Sequence, residues 1–200
     1  MPMSISSPPS PARTKRVMLF VDGQNLSKRF AETKKRRKMK NGIKEIATSF
    51  VWGPISLDYP GLVRGGRTAW EMVRAYYYTY FTASDDIISK HTKAIKQVPI
   101  GKGYTLKLSP VVFKKNKSDR DVKGDDIALT VEALHHAYNR NVDVIHIFTG
   151  DGDYVPLIDE IKHLGITVFV SAFSSGLNDK IEECADMFFN LDDEFFEKDE

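Results

Sequence analysis

Ile147-Phe148-Thr149-Gly150-Asp151-Gly152-Asp153-Tyr154 joins an apolar run to a helical pattern through a turn that carries two carboxylates. Upstream, Val142, Val144 and Ile145 extend the apolar, largely β-branched run, the composition of a buried strand. Downstream, Tyr154, Leu157, Ile158, Ile161 and Leu164 recur at helical spacing, and Gly165 supplies a stop. In an open parallel sheet, ligands bind at the carboxyl ends of strands. Two acids at such an end suit a hard divalent cation such as Mg²⁺, which takes oxygen ligands. Asp is equally at home at helix starts, where its oxygen caps backbone N–H groups, and capping accounts well for one of the two. The arrival of further acids at the same place decides between these readings.

The 200 residues fit one domain with a real core, and 42% hydrophobic against 28% charged residues describes a globular protein. No apolar run reaches the length of a membrane span. The N-terminus lacks the apolar core of a secretory signal, so the expected location is cytoplasmic. A single cysteine, Cys184, excludes an internal disulfide framework and a cysteine-rich zinc site. The net charge of +2 conceals an asymmetry: residues 1–45 hold 12 Lys/Arg against 3 Asp/Glu, whereas residues 182–200 hold 9 Asp/Glu against Lys198. An electropositive region that meets a polyanion, and an acidic tail that repels it or covers the basic region, are both implied.

Residues 1–14 are Ser- and Pro-rich without apolar periodicity and read as a disordered leader. Val17-Met18-Leu19-Phe20-Val21 is a first strand, ending in Asp22-Gly23-Gln24-Asn25 with a helix behind it. Lys34-Lys35-Arg36-Arg37-Lys38-Met39-Lys40 is a basic block, either a solvated helix extension or a phosphate-binding arm. Residues 41–70 read as a long loop with one short helix. Within them Gly61–Thr68 mimics a Walker A loop but puts Arg67 where that motif needs Lys. Met72–Phe81 is a second strand, Asp85–Val98 a helix capped by Ser84, and Tyr104–Phe113 a third strand region bent or edged at Pro110. Lys114-Lys115-Asn116-Lys117 opens a polar loop. The helix after Lys123-Gly124-Asp125-Asp126 is expected to turn Ile127, Val131, Leu134 and Tyr138 inward. Adjacent helical residues point about 100° apart, so Asp125 and Asp126 divide, one capping and one facing the sheet. Ile166–Val170 is a further strand, a Ser-rich loop and a short helix at Asn178–Ala185 follow, and Met187–Phe189 is the last strand.

This βα alternation predicts a three-layer α/β/α, Rossmann-like domain around a mostly parallel sheet. Right-handed crossovers place all strand carboxyl ends on one edge, bringing Asp22, Asp151 and Asp153 together with Asp126 at a helix start. Four converging carboxylates repel one another, and burial without a cation raises their pKa values, so a divalent metal is the economical explanation.

Four pieces in sequence, Val21–Asn25 (VDGQN), Arg74–Tyr78 (RAYYY), Lys123–Leu134 (KGDDIALTVEAL) and Thr149–Ile158 (TGDGDYVPLI), resemble the NYN family, whose LabA-like members have a PIN-like nuclease fold. The resemblance spans roughly residues 16–191, which divides the chain into the leader, a domain over 15–191 and an acidic tail over 192–200. Carried over by position, the family's acidic cluster falls on Asp22, Asp126, Asp151 and Asp153, with Asn25 and Thr149 beside them. Asp125, where an apolar residue is usual, and Gly152, where Ser is common, depart from the family pattern.

The resemblance implies Mg²⁺- or Mn²⁺-dependent hydrolysis of RNA, with the four acids as metal ligands and catalytic groups. Asn25, Thr149, Lys123 and Asp125 would support the ligands or the scissile phosphate. Lys34, Lys35, Arg36, Arg37, Lys38, Lys40, Lys114, Lys115 and Lys117 would track the backbone of single-stranded RNA, with little base readout. No membrane partner is expected, and a homo-oligomer is compatible with the sequence. Two rival readings stand beside it. A non-catalytic RNA-binding module would keep the fold, and a haloacid dehalogenase-type phosphatase also places Asp-x-Asp after a strand.

Overall fold

A strand that is apolar on both sides, as Val17–Val21 is, has to be covered on both faces, and the fold follows from that requirement. The computed structural model describes residues 14–45, 50–53, 69–99, 105–114 and 124–198. In chain order the elements are β1 (Thr14–Asp22), α1 (Gly23–Thr33), β2 (Lys44–Glu45), β3 (Val51–Trp52), β4 (Ala69–Phe81), α2 (Asp85–Ile95) and β5 (Gln97–Pro99). Then come β6 (Thr105–Lys107), β7 (Ser109–Lys114), α3 (Gly124–Tyr138), β8 (Val144–Phe148), a 3₁₀ turn (Gly152–Tyr154) and α4 (Val155–His163). β9 (Thr167–Ala172), α5 (Asp179–Cys184), β10 (Met187–Asn190) and α6 (Asp192–Phe195) complete the described chain.

Six strands form one sheet in the order β10-β9-β8-β1-β4-β7, and every neighbouring pair is parallel. The alternation of side chains along each strand divides the core. Val17, Leu19 and Val21 of β1 face the same cluster as Leu26 and Phe30 of α1 and Ile95 of α2. Met18 and Phe20 face α3, α4 and α5. The domain is therefore three-layered, as the βα alternation predicts. β1 lies between β4 and β8, so its carboxyl end is central to the edge where a ligand would sit.

Several expectations require correction. The inner stripe of α3 is Asp125, Leu129, Ala133 and Ala137, whereas Ile127, Val131 and Tyr138 are each about 60% exposed. Both stripes have helical spacing, and hydropathy selects the one with bulkier side chains. The sheet opposite already supplies bulk through Phe20, Tyr76 and Tyr78, so small residues let the helix close on it. The helix expected to reach Val98 stops at Ile95, and Val98 belongs to the small antiparallel ribbon β5–β6. Within residues 41–70, β2 and β3 pair as another antiparallel ribbon that buries Trp52 in the core. The Walker-like stretch at 61–68 lies outside the described residues. Pro110 falls inside β7, which is an edge strand and so tolerates a missing N–H.

The tail expected from residue 192 belongs to the packed body as far as it is described. Phe195 and Phe196 are fully buried. Phe196 stacks on Phe30 with ring centroids 5.4 Å apart, and Phe195 meets Phe173 edge-on at 5.0 Å. Acidic composition hides these two aromatics, whose burial stabilises the α1 face by roughly 2 kcal/mol each.

The start of α1 is fixed by close approach. A Cβ on Gly23 would lie 2.2 Å from Cε1 of Tyr77 and 2.6 Å from the carbonyl oxygen of Tyr78, so α1 begins directly against β4. Gly23→Ala is expected to destabilise the fold by roughly 3 kcal/mol, because the obstacles are the buried Tyr77 ring and the Tyr78 backbone carbonyl. A urea titration reads this as a lowered midpoint, and an unchanged midpoint would show that the helix start can shift freely.

Candidate functional site

Asp22 closes β1 and caps α1, its Oδ1 accepting from the Asn25 N–H at 2.9 Å. β1 and β8 are in register at Val21 and Phe148, so the next residues, Asp22 and Thr149, also meet. The Thr149 hydroxyl donates to Oδ2 of Asp22 at 3.0 Å and accepts from the Asp151 N–H at 3.2 Å. Asn25 Oδ1 accepts from the Gly150 N–H at 3.2 Å, tying the β8 turn to α1. Asp151 Oδ1 in turn accepts from the Asp153 N–H at 3.1 Å and caps the 3₁₀ turn. Of the two acids in this turn, the one that caps is Asp151.

Asp22, Asp125, Asp126 and Asp151 line one open cavity of about 620 Å³, together with Asn25. Asp125 is buried and Asp126 exposed, but the helix start brings both to the rim. Tyr154 is buried and its hydroxyl donates to Oδ1 of Asp126 at 2.9 Å. Burial, reinforced by the charges of Asp22 and Asp126, pushes its phenol well above the ordinary range, which keeps it a donor. Asp153 is exposed and is not among the cavity's lining residues. Lys123 lies outside the described residues.

Burial pushes the Asp22 carboxyl up to about 7, and the nearby charges of Asp126 and Asp125 add to this. The Asn25 N–H and the Thr149 hydroxyl pull the other way. Among the described residues, Asp22, Asp126 and Asp151 are in no salt bridge. Oxygen donors that are in no salt bridge fit Mg²⁺ or Mn²⁺. Among the described residues, no group of three His, Cys, Asp or Glu side chains is gathered as a ready metal cage. Mg²⁺ does not require one, because it keeps several waters and is commonly held by one or two carboxylates.

The basic block divides. Lys34 pairs with Glu45 at 2.7 Å, Arg37 with Asp192 at 3.6 Å and Lys38 with Glu197 at 2.9 Å. Lys40 donates to the Asp193 carbonyl, and Met39 bridges Phe196. The acidic end of the chain therefore engages Arg37, Lys38 and Lys40, with Lys38 still exposed, an alternative the charge asymmetry allows. Lys114 pairs with Asp85 at 2.7 Å. Lys115 and Lys117 lie outside the described residues. Lys35 lines the acidic cavity and Arg36 an adjoining one. Lys28, Arg29 and Gln24 also line the acidic cavity and are missed by sequence reasoning. The seven-residue spacing of Lys28 from Lys35, which the basic block already contains, is the signal that would have found Lys28.

Fold and site together define an α/β domain with an acidic pocket at the carboxyl edge of a parallel sheet. The chain belongs to the NYN domain family, whose model matches residues 16–192, and that family's fold is nuclease-like and RNA-related. No curated protein matches the chain. A crystal structure of a protein of unknown function from Vibrio parahaemolyticus is similar in fold, with a TM-score of 0.50 and 21% identity. That likeness covers 92% of this chain and 96% of the other. No helix among the described residues is long and apolar enough to cross a membrane.

Proposed function

We propose that this chain is a metal-dependent ribonuclease that hydrolyses phosphodiester bonds of single-stranded RNA in the cytoplasm. The observation that carries the reading is that Asp22, Asp126 and Asp151, from three separate parts of the chain, line one open cavity and are in no salt bridge among the described residues. Asp22 and Asp151 would hold Mg²⁺ or Mn²⁺. When bound, such an ion neutralises non-bridging phosphate oxygens and lowers the pKa of water. Thr149 and Asn25 keep Asp22 and the Gly150 turn in place. Asp126, held by Tyr154, is positioned to accept a hydrogen bond from the attacking water, and Asp125 adds negative potential beside it. Asp153 has a lesser role, oriented from outside the cavity.

An RNA-binding module without turnover is the second reading, and Lys28, Arg29 and Lys35 on the lining of the same cavity suit it, because they can hold phosphate without a metal. Purified protein incubated with labelled single-stranded RNA, duplex RNA and a phosphomonoester separates the readings. The expected result is cleavage of the single strand with Mn²⁺ or Mg²⁺ and none in EDTA. Cleavage that persists in EDTA would sink the proposal, binding without cleavage would leave the module, and turnover of the phosphomonoester alone would point to a phosphatase.

A further inference from the structure

The acidic cavity has a basic side. Lys28 and Lys35 line it, and both are exposed. Lys28 is on α1 and Lys35 is in the turn that follows its end at Thr33. Glu32 lines this cavity and also a second one of about 590 Å³, so the two adjoin along α1. The second is lined by Thr33, Arg36, Arg37, Ser174, Ser175 and Asp192. It already seats an anion of the chain itself: the Asp192 carboxylate accepts from the Ser174 N–H at 3.3 Å and from the Ser174 hydroxyl, and faces Arg37 at 3.6 Å. Glu32 is similarly occupied, by Arg29 at 2.9 Å and the Ser175 hydroxyl at 2.8 Å. What remains for an external anion is the set Lys28, Lys35 and Arg36, none of which forms a salt bridge among the described residues.

From this division we infer that a single RNA strand leaves the acidic pocket along α1, its successive phosphates lying on Lys28, Lys35 and then Arg36 at the mouth of the second cavity. The inference rests on the ribonuclease reading for the identity of the polyanion. It assigns the block at 34–40 two jobs. Lys35 and Arg36 take phosphate, and Lys34, Arg37, Lys38 and Lys40 hold β2 and the chain's own acidic end. The contacts are to phosphate alone, so they position the strand without reading its sequence.

The test measures binding and leaves cleavage aside. The full chain in EDTA is titrated against a labelled single-stranded oligoribonucleotide over a range of salt concentrations. Each phosphate contact to a single strand contributes a slope of about −0.7 in log affinity against log salt. Lys28→Gln, Lys35→Gln and Arg36→Gln are each expected to reduce the slope by about 0.7 and to weaken binding roughly fivefold, whatever the RNA sequence. Lys34→Gln and Lys38→Gln, with thermal melts to confirm folding, are expected to leave the slope unchanged. Loss of slope in Lys34→Gln and Lys38→Gln but not in the first three would overturn the path and put the strand on the block's other side. Equal losses in all five would overturn it in favour of diffuse attraction. Wild-type protein that fails to bind RNA at any salt concentration in EDTA would overturn the path, whereas the ribonuclease reading stands or falls separately on metal-dependent cleavage.

Discussion

Asp22→Asn should raise the melting temperature of the metal-free protein at about pH 8 while lowering cleavage at least ~10³-fold. The two effects have one origin. Asp22 is 4% exposed, and burial, with Asp126 and Asp125 close by, pushes its carboxyl up from 3.8 to about 7. Between these values the folded chain holds a proton that the unfolded chain has released. Stability therefore falls as pH rises across that window, and is fully present only below it. The full shift corresponds to about 4 kcal/mol as an upper bound, which water penetration would reduce. An asparagine carries no charge at any pH, so the variant escapes this loss. Its amide oxygen can still accept from the Asn25 N–H, and its amide group can donate to the Thr149 hydroxyl, which rotates to accept. Melts at about pH 4 and pH 8 should thus converge for wild type and variant at the lower value and separate at the higher. Mn²⁺ should raise the wild-type melting temperature at about pH 8 and leave that of the variant almost unmoved. A variant that melts below wild type at the higher pH would mean that the buried carboxylate is stabilised by its hydrogen bonds more than it suffers from burial.

How much of this pocket is legible in the sequence depends on how local each signal is. Asp22 and Asp151 sit at the ends of apolar runs, and parallel strands align those ends, so their meeting follows from strand order and chain direction alone. The family resemblance adds Asp126, but neither route resolves which of Asp125 and Asp126 is buried. That depends on which stripe of α3 meets the sheet, and the choice is made by Phe20, Tyr76 and Tyr78 on other elements. The basic block is the least legible part. Arg37 reaches Asp192 and the Glu197 carbonyl across more than 150 residues, and no periodicity around Arg37 records that. A run of cations reads as one surface, whereas the structure separates it by partner. Phe195 and Phe196 are obscured in the same way, two apolar residues within an acidic stretch whose burial depends on Phe30 and Phe173.

Asp151→Asn and Asp153→Asn remove the same charge from the same turn, and they are expected to differ widely. Asp151 lines the cavity, and its backbone N–H reaches the Thr149 hydroxyl that holds Asp22. Its side chain also caps the 3₁₀ turn through the Asp153 N–H. Asparagine caps about as well as aspartate, so folding should change by less than about 1 kcal/mol and a fall in rate would report the lost carboxylate. That fall should be ~10²-fold or more if the carboxylate holds the metal. Both side chains are exposed, but Asp153 does not line the cavity, and its substitution should cost less than ~10-fold, the effect of a more distant charge weakened by solvent. The turn itself is fixed independently of both side chains' charge: a Cβ on Gly152 would meet Asn178 Nδ2 at 2.3 Å, and the Asn178 N–H holds the Gly150 carbonyl at 3.1 Å. Cleavage rates at saturating Mn²⁺, with a thermal melt of each variant, make the comparison. General weakening of the pocket's negative potential would lower both rates together, so equal losses would contradict the assignment of Asp151 as the metal-holding member. A large difference at matched stability instead identifies the position of the carboxylate, rather than the number of acids in the turn, as what the chemistry requires.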